Sequence, residues 1–259
     1  MKNDNLSILV LSCDKYSDLW EPFFECFFRY WPDCKFPIYL GSNNKIFDNQ
    51  SVKTILSGDD KDWSSSLLNI LEQINSEYVF IFLEDFFLVD NVDNLKFDDL
   101  FNILVENDFN HCHIGLNPKT NSFIESGIGI YEKGMPYRTN VFGLWKKSYL
   151  KNIIIRGENP WNFEIMGSYR SSYDDGFYCI PNGIFKTMNM VEKGKWFPSN
   201  IKFIKNLGIC IDENRREKLS GFYFFKSKIQ IIFVKLVTLI PYRNRVKLMN
   251  IIRKILFSY

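Results

Sequence analysis

The sequence predicts an α/β fold: a central, mostly parallel sheet of Rossmann-like character, flanked by helices. Three observations carry this. The run Tyr78-Val79-Phe80-Ile81-Phe82-Leu83 has no polar alternation, as expected of a strand buried on both faces under helices. Apolar strand-like runs alternate with segments at helical spacing in the order β-α-β-β-α-β. Several of these strands end in polar or acidic residues, and in an open α/β sheet the strand C-termini border the ligand crevice.

Each element has its own signal. Leu6–Leu11 is a short apolar run ending in Ser12-Cys13-Asp14, read as the first buried strand. Leu19 to Trp31 carries aromatics at helical spacing and is stopped by Pro32. Phe36–Leu40 and Val52–Leu56 are the second and third strands, followed by Gly41-Ser42-Asn43-Asn44 and Ser57-Gly58-Asp59-Asp60. Trp63 to Ile74 places Trp63, Leu67, Leu68, Ile70, Leu71 and Ile74 on one helical face. Then comes the fourth strand, ending in Glu84-Asp85. Phe97 to Val105 is a helix and Cys112–Leu116 a strand, followed by a Gly-rich hairpin around Gly127, Gly129 and Gly134. Phe142 to Ile155 runs into the loop Arg156-Gly157-Glu158-Asn159-Pro160-Trp161, and Arg170, Asp174 and Asp175 fall on a further loop.

The chain has 259 residues, 46% hydrophobic and 17% aromatic, ample for one large core. The net charge of +2 conceals an asymmetry. Beyond Glu217 there is no acid, and from Phe222 onward there are eight cations, leaving 24 basic and 30 acidic groups in residues 1–221. An acidic body argues against a nucleic-acid partner. The six cysteines form no CxxC pair and suit reduced thiols. No secretory leader is evident and no apolar run reaches the roughly 18 residues of a bilayer span. The expected division is a catalytic domain over 1–220 and a basic amphipathic helical tail over 221–259. Arg243 to Phe257 sets Val246, Leu248, Met249, Ile251, Ile252, Ile255 and Leu256 among cations. Such a pattern suits an anionic membrane surface, with packing on the body or on a twin subunit as the alternative. The expected location is cytoplasmic, peripheral on the inner face of the cell membrane.

Acids at the ends of successive strands, on one sheet edge, resemble the GT-A glycosyltransferases of bacterial surface-polysaccharide and lipooligosaccharide synthesis. The resemblance covers roughly Leu6 to Arg170 and rests on short motifs. It implies that Ser12, Asp14, Asp59, Glu84 and Asp85 meet a nucleotide-sugar donor, with Asp59 toward the base and Asp85 as a ligand of Mn²⁺ or Mg²⁺. The usual acidic motif has a further carboxylate; here Phe86-Phe87 follows Glu84-Asp85. Metal dependence therefore stays open, with Lys or Arg as the alternative partners of the phosphates. The segment Asn140 to Leu150, with its Gly143-Leu144-Trp145 corner, and Gly157 to Ser168 resemble the acceptor half of such enzymes. There Trp145, Trp161 and Arg170 are the expected contacts to a glycan or lipid-linked glycan, and Glu164, with Glu158 as rival, the expected base of an inverting transfer.

His111 and His113 point to one face of a strand, which suits a metal pair or an ordinary strand-end pair. No GxSxG, Walker A, GxGxxG or HExxH motif occurs. Two other functions remain compatible with the sequence: a nucleotidyltransferase of sugar metabolism, though Ser12-Cys13-Asp14-Lys15 is not a Gly-rich phosphate loop, and a non-catalytic glycan-binding protein.

Overall fold

The computed structural model describes residues 5–115, 118–124, 126–180 and 184–219, and beyond them only positions 239–241, 244, 247, 248 and 251. Apart from those positions, the tail expected over 221–259 lies outside the described residues, as does the domain boundary at 220–221. Among those that are described, no helix is long and apolar enough to cross a membrane.

The first half follows the sequence pattern. β1 (Leu6–Leu11), α1 (Trp20–Tyr30), β2 (Ile38–Ser42), β3 (Lys53–Leu56), α2 (Trp63–Leu71) and β4 (Tyr78–Leu83) succeed one another, with a 3-10 turn over Asp14–Leu19. β1, β2, β3 and β4 are mutually parallel, so their C-terminal ends share one edge. The unbroken apolar run of β4 has a direct explanation. Tyr78, Phe80 and Phe82 pack with Phe23, Phe27, Trp31 and Phe97 on one side of the sheet. Val79 and Ile81 pack with Leu67, Ile70, Leu71 and Phe163 on the other. With both faces covered, no position of the strand is left for a polar side chain.

After β4 the chain turns at Glu84-Asp85 and leaves the sheet as β5 (Phe86–Leu88), which pairs antiparallel with β10 (Thr187–Asn189). Phe87 is fully buried, 5.8 Å from the Phe23 ring, so the position after the acids serves the core. α3 (Asn94–Glu106), β6 (His111–Ile114), β7 (Gly129–Ile130), β8 (Gly143–Lys146), α4 (Lys147–Ile153), α5 (Pro160–Arg170) and β9 (Phe177–Ile180) follow. β11 (Val191–Glu192), β12 (Lys195–Trp196) and α6 (Pro198–Asn206) complete the body.

The main sheet has the order β3-β2-β1-β4-β8-β6-β9-β7 and is mixed, with four parallel and three antiparallel pairings. β8 is inserted antiparallel between β4 and β6. Its register, Ile81↔Gly143 to Tyr78↔Lys146, means that the chain enters β8 at the C-terminal end of β4. Residues 140–142 are thereby delivered to the edge that carries Glu84-Asp85. Gly143 permits the close approach: a Cβ there would lie 2.5 Å from the Cys112 carbonyl oxygen and 2.8 Å from His111. Two expected loops are corrected: Pro160 and Trp161 open α5, capped by Asn159, and Arg170 closes it.

Candidate functional site

The strand-end residues divide into those spent on holding the edge together and those left for chemistry. Asp14 belongs to the first group. Its Oδ1 accepts from the backbone N–H groups of Asn43 (3.1 Å), Asn44 (3.1 Å) and Lys45 (3.0 Å), while its own N–H donates to Asn43 Oδ1. Ser12 Oγ accepts from the Trp20 indole at 2.8 Å. Asp14 and Ser12, both expected to meet the donor, thus also tie the edge together. Asp59 stands exposed beyond β3. The cap of α2 is Asp62, which accepts from Ser65 N–H at 2.8 Å and from Gly157 N–H at 3.0 Å. The Ser64 hydroxyl, which donates to Asp62 at 2.7 Å, and then these two N–H groups hold Asp62 well below the usual carboxylate range, and the Gly157 bond helps clamp the 155–158 loop onto α2.

Glu84 and Asp85 are different. Glu84 is buried, and burial, then the neighbouring Asp85 charge, raises its pKa well above the ordinary value. Burial likewise pushes Asp85 up to about 7, with its own N–H and Arg216 pulling the other way. Among the described residues, no side-chain hydrogen bond or ion pair from another residue offsets this cost at close range. A carboxylate pair of one buried and one half-buried group in this state favours a cation or a hydrogen-bond donor brought by a ligand.

The C-terminal strap brings positive charge to the same edge, which the sequence did not reveal. Residues 217–219 bond to the Trp196 backbone, and Arg216 reaches back to Asp18 through two bonds of 2.9 and 2.6 Å. The guanidinium lies 4.3 Å from the Tyr16 ring and 5.8 Å from that of Trp196, and its charge is felt by Glu84 and Asp85. Tyr16 is raised by burial and then by Glu84, which puts it beside the acids. Trp196 Nε1 is buried without a hydrogen-bond partner among the described residues. No sequence signal ties Arg216 to Asp85; the pair is some 130 residues apart.

The acceptor candidates also separate. Glu164 projects from the inner side of α5, and its Oε1 accepts from Val141 N–H at 3.4 Å. Val141 belongs to the segment that enters β8 at the C-terminal end of β4, which puts Glu164 near that end of the sheet. Burial pushes it up to about 7, and Thr139 and Ser168 hydroxyls fix its backbone carbonyl at 3.1 and 2.6 Å. Trp161, 60% exposed, is one turn before it on α5.

Trp145 corrects an expectation. It is fully buried, stacked on His111 at 3.9 Å, and its indole donates to the Val141 carbonyl at 3.2 Å. It stacks on no sugar; it fixes the residue that holds Glu164. Glu158 is already partnered. Arg170 engages it with two bonds of 2.7 and 2.9 Å, so the two expected site residues are paired with each other here, whereas Glu164 has no such partner among the described residues. His111 and His113 are buried and pushed down, His113 to about 4, chiefly by desolvation. His111 Nδ1 is within 3.0 Å of the Leu144 carbonyl.

Among the described residues no group of three or more His, Cys, Asp or Glu side chains is placed to hold a metal ion. Glu84 and Asp85 alone fit the other mode of binding, in which one or two carboxylates share a divalent ion with substrate phosphates. An open cleft of about 560 Å³, lined by Asn107, Asp108, Tyr149, Asp174 and Asp175 among others, lies at the opposite, N-terminal edge of β6 and β9. Its acids are engaged by Lys146, Lys133 and Tyr149.

No family model and no curated protein sequence matches this chain. Solved structures do match in fold. The 1–349 piece of TarS from S. aureus gives a TM-score of 0.51 at 11% identity, over 90% of this chain and 70% of that one. The longer S. aureus TarS chain gives 0.49 at 12% identity, and this chain spans only 43% of its length. A cytidylyltransferase from Leptospira borgpetersenii serovar Hardjo-bovis (strain JB197) gives 0.47 at 13% identity, over 83% of this chain and 98% of that one. The class defined by sheet order and strand-end site is a GT-A-like α/β fold.

Proposed function

We propose that the protein is a glycosyltransferase that moves a sugar, with inversion, from a nucleotide-sugar donor to a surface-glycan acceptor such as capsule, O-antigen or lipooligosaccharide. One observation carries the reading. A carboxylate raised into the neutral range, Glu164, is held by the segment entering β8 at the sheet end that also carries a separate carboxylate pair, Glu84-Asp85, and this supports an acceptor-side role for Glu164. A half-buried base poised near neutrality and a distinct acid pair are the division of labour that such a transfer needs.

In this reading Glu164 takes the proton of the acceptor hydroxyl. The oxygen attacks the anomeric carbon from the side opposite the diphosphate. The carbon–oxygen bond to the phosphate breaks, and its electron pair leaves with the nucleoside diphosphate. Arg216, exchanging Asp18 for phosphate oxygens, is the group suited to that developing charge. Asp85 and Glu84 would hold Mn²⁺ or Mg²⁺, which would supply further neutralisation of the diphosphate. Trp161 is the exposed ring nearest Glu164 along α5 and the candidate acceptor platform. The acid-free sequence beyond Glu217 supports a membrane-bound acceptor, reached from the inner face of the cell membrane.

The test is a thermal-shift and turnover screen of nucleotide sugars, with Mg²⁺ or Mn²⁺ and with EDTA. UDP-GlcNAc is a natural first donor, since TarS 1–349 is known in complex with it. A folded Asp85→Ala protein should lose turnover. Wild-type turnover in that variant would remove Asp85 from the site, and release of pyrophosphate from a nucleoside triphosphate and a sugar phosphate would replace glycosyl transfer with nucleotidyl transfer.

A further inference from the structure

The exposed residues of α5 are unlike those of an ordinary surface helix. They are Trp161 (60% exposed), Asn162, Ile165 (51%), Met166 (49%) and Tyr169 (51%). At 100° per residue these five fall within one arc of about 140°. None of them is charged. α1 turns Glu21, Glu25 and Arg29 outward, and α6 turns out Lys202 and Lys205. Ile155 and Tyr173, on the segments that flank α5 in the chain, are exposed as well. Meanwhile the other side of α5 is packed, with Phe163, Gly167 and Ser168 buried and Glu164 turned in toward Val141.

We infer that this face of α5 is the surface by which the protein docks on an anionic lipid bilayer. Trp and Tyr pair an apolar ring with one polar atom and settle at headgroup level, while Ile and Met reach below it. The chain supplies the complementary charge. From Phe222 onward it has eight cations and no acid. This cationic stretch, the 40 residues that follow Leu219, and the apolar face of α5 are two separate attachments to one anionic bilayer. Neither signal suffices by itself for stable attachment; an apolar face plus a polybasic segment does.

Docking in this way has a consequence for substrate, which rests on the glycosyltransferase reading. Glu164 would stand about one helix diameter, roughly 10 Å, above the headgroups. The acceptor hydroxyl then belongs to one of the first sugars attached to the lipid, not to the far end of a long chain.

The experiment is flotation of the full-length protein with phosphatidylcholine vesicles containing about 30% phosphatidylglycerol, at about 0.15 M and about 0.5 M NaCl. The comparison is the double variant Ile165→Glu/Met166→Glu, whose side chains are exposed and whose fold is checked by thermal melting. The variant should bind at least about tenfold more weakly at both salt concentrations, because apolar insertion is not screened. Four results would overturn the docking surface: equal flotation of variant and wild type, no flotation of the wild type, loss of transfer to a water-soluble acceptor with vesicle binding intact, or a wild-type dimer that the variant dissociates. Donor binding in solution is measured alongside. If it fails while vesicle binding depends on α5, the transferase reading falls and the docking surface stands.

Discussion

Glu164→Gln probes the site most sharply, because stability and activity are expected to move in opposite directions. Burial raises the carboxyl from its ordinary value of 4.5 to about 7. Below about pH 4.5 the group is protonated in both the folded and the unfolded chain, and burial exacts no ionic penalty. Between about 4.5 and 7 the unfolded chain has lost its proton while the folded protein retains it, so stability falls as pH rises. Above 7 the penalty levels off at about 3 kcal/mol, at 1.36 kcal/mol for each pH unit between the two values. Glutamine accepts the Val141 N–H without a charge. The variant should therefore be more stable than wild type by up to about 3 kcal/mol at pH 8 and equal to it near pH 4.5, measured by denaturant melts. Its kcat should fall by about 10²- to 10⁴-fold with donor binding retained. The acid limb of the wild-type rate profile alone is ambiguous, since Asp85 is also raised to about 7. The stability difference belongs to Glu164. Melts that coincide at pH 8, or a kcat within a few-fold of wild type, would refute the assignment.

The remaining expectations separate core from site. Trp145→Ala should cost about 3–5 kcal/mol in a denaturant melt, as for other fully buried aromatics; unchanged stability with a collapsed acceptor affinity would return Trp145 to the sugar site. Asp62→Ala should cost about 1–2 kcal/mol through loss of the α2 cap and its tie to Gly157, whereas exposed Asp59→Ala should stay within about 0.5 kcal/mol. A nucleotide titration of Asp59→Ala then reads its contact with the base free of any folding defect, and affinity equal to wild type would leave Asp59 without a role there.

Some of this was decided by local sequence. The burial of β4 on both faces follows from six consecutive apolar residues, and the turn after it from two acids that no helix-covered strand accommodates. Parallel order among the first four strands follows from the helices and long connections between them. What lay beyond reach was anything settled by contacts distant in the chain. Trp145 and Trp161 are the same residue type in similar Gly-containing surroundings. One faces His111 across the sheet and the other faces outward, because β8 is enclosed between β4 and β6 while the start of α5 is not. Asp14 and Asp85 are both strand-end acids, yet only Asp14 meets a ring of backbone N–H groups, provided by the β2 loop. Glu158 and Glu164 are six residues apart, and the choice between them came from Arg170 folding back onto one of them. Arg216 reached the acids through a strap that pairs with β12. Pattern along the chain specifies which faces are buried, since burial repeats with the local period of strand or helix. Which polar groups stay unsatisfied depends on whether a partner arrives from elsewhere, and that is a property of the tertiary structure alone.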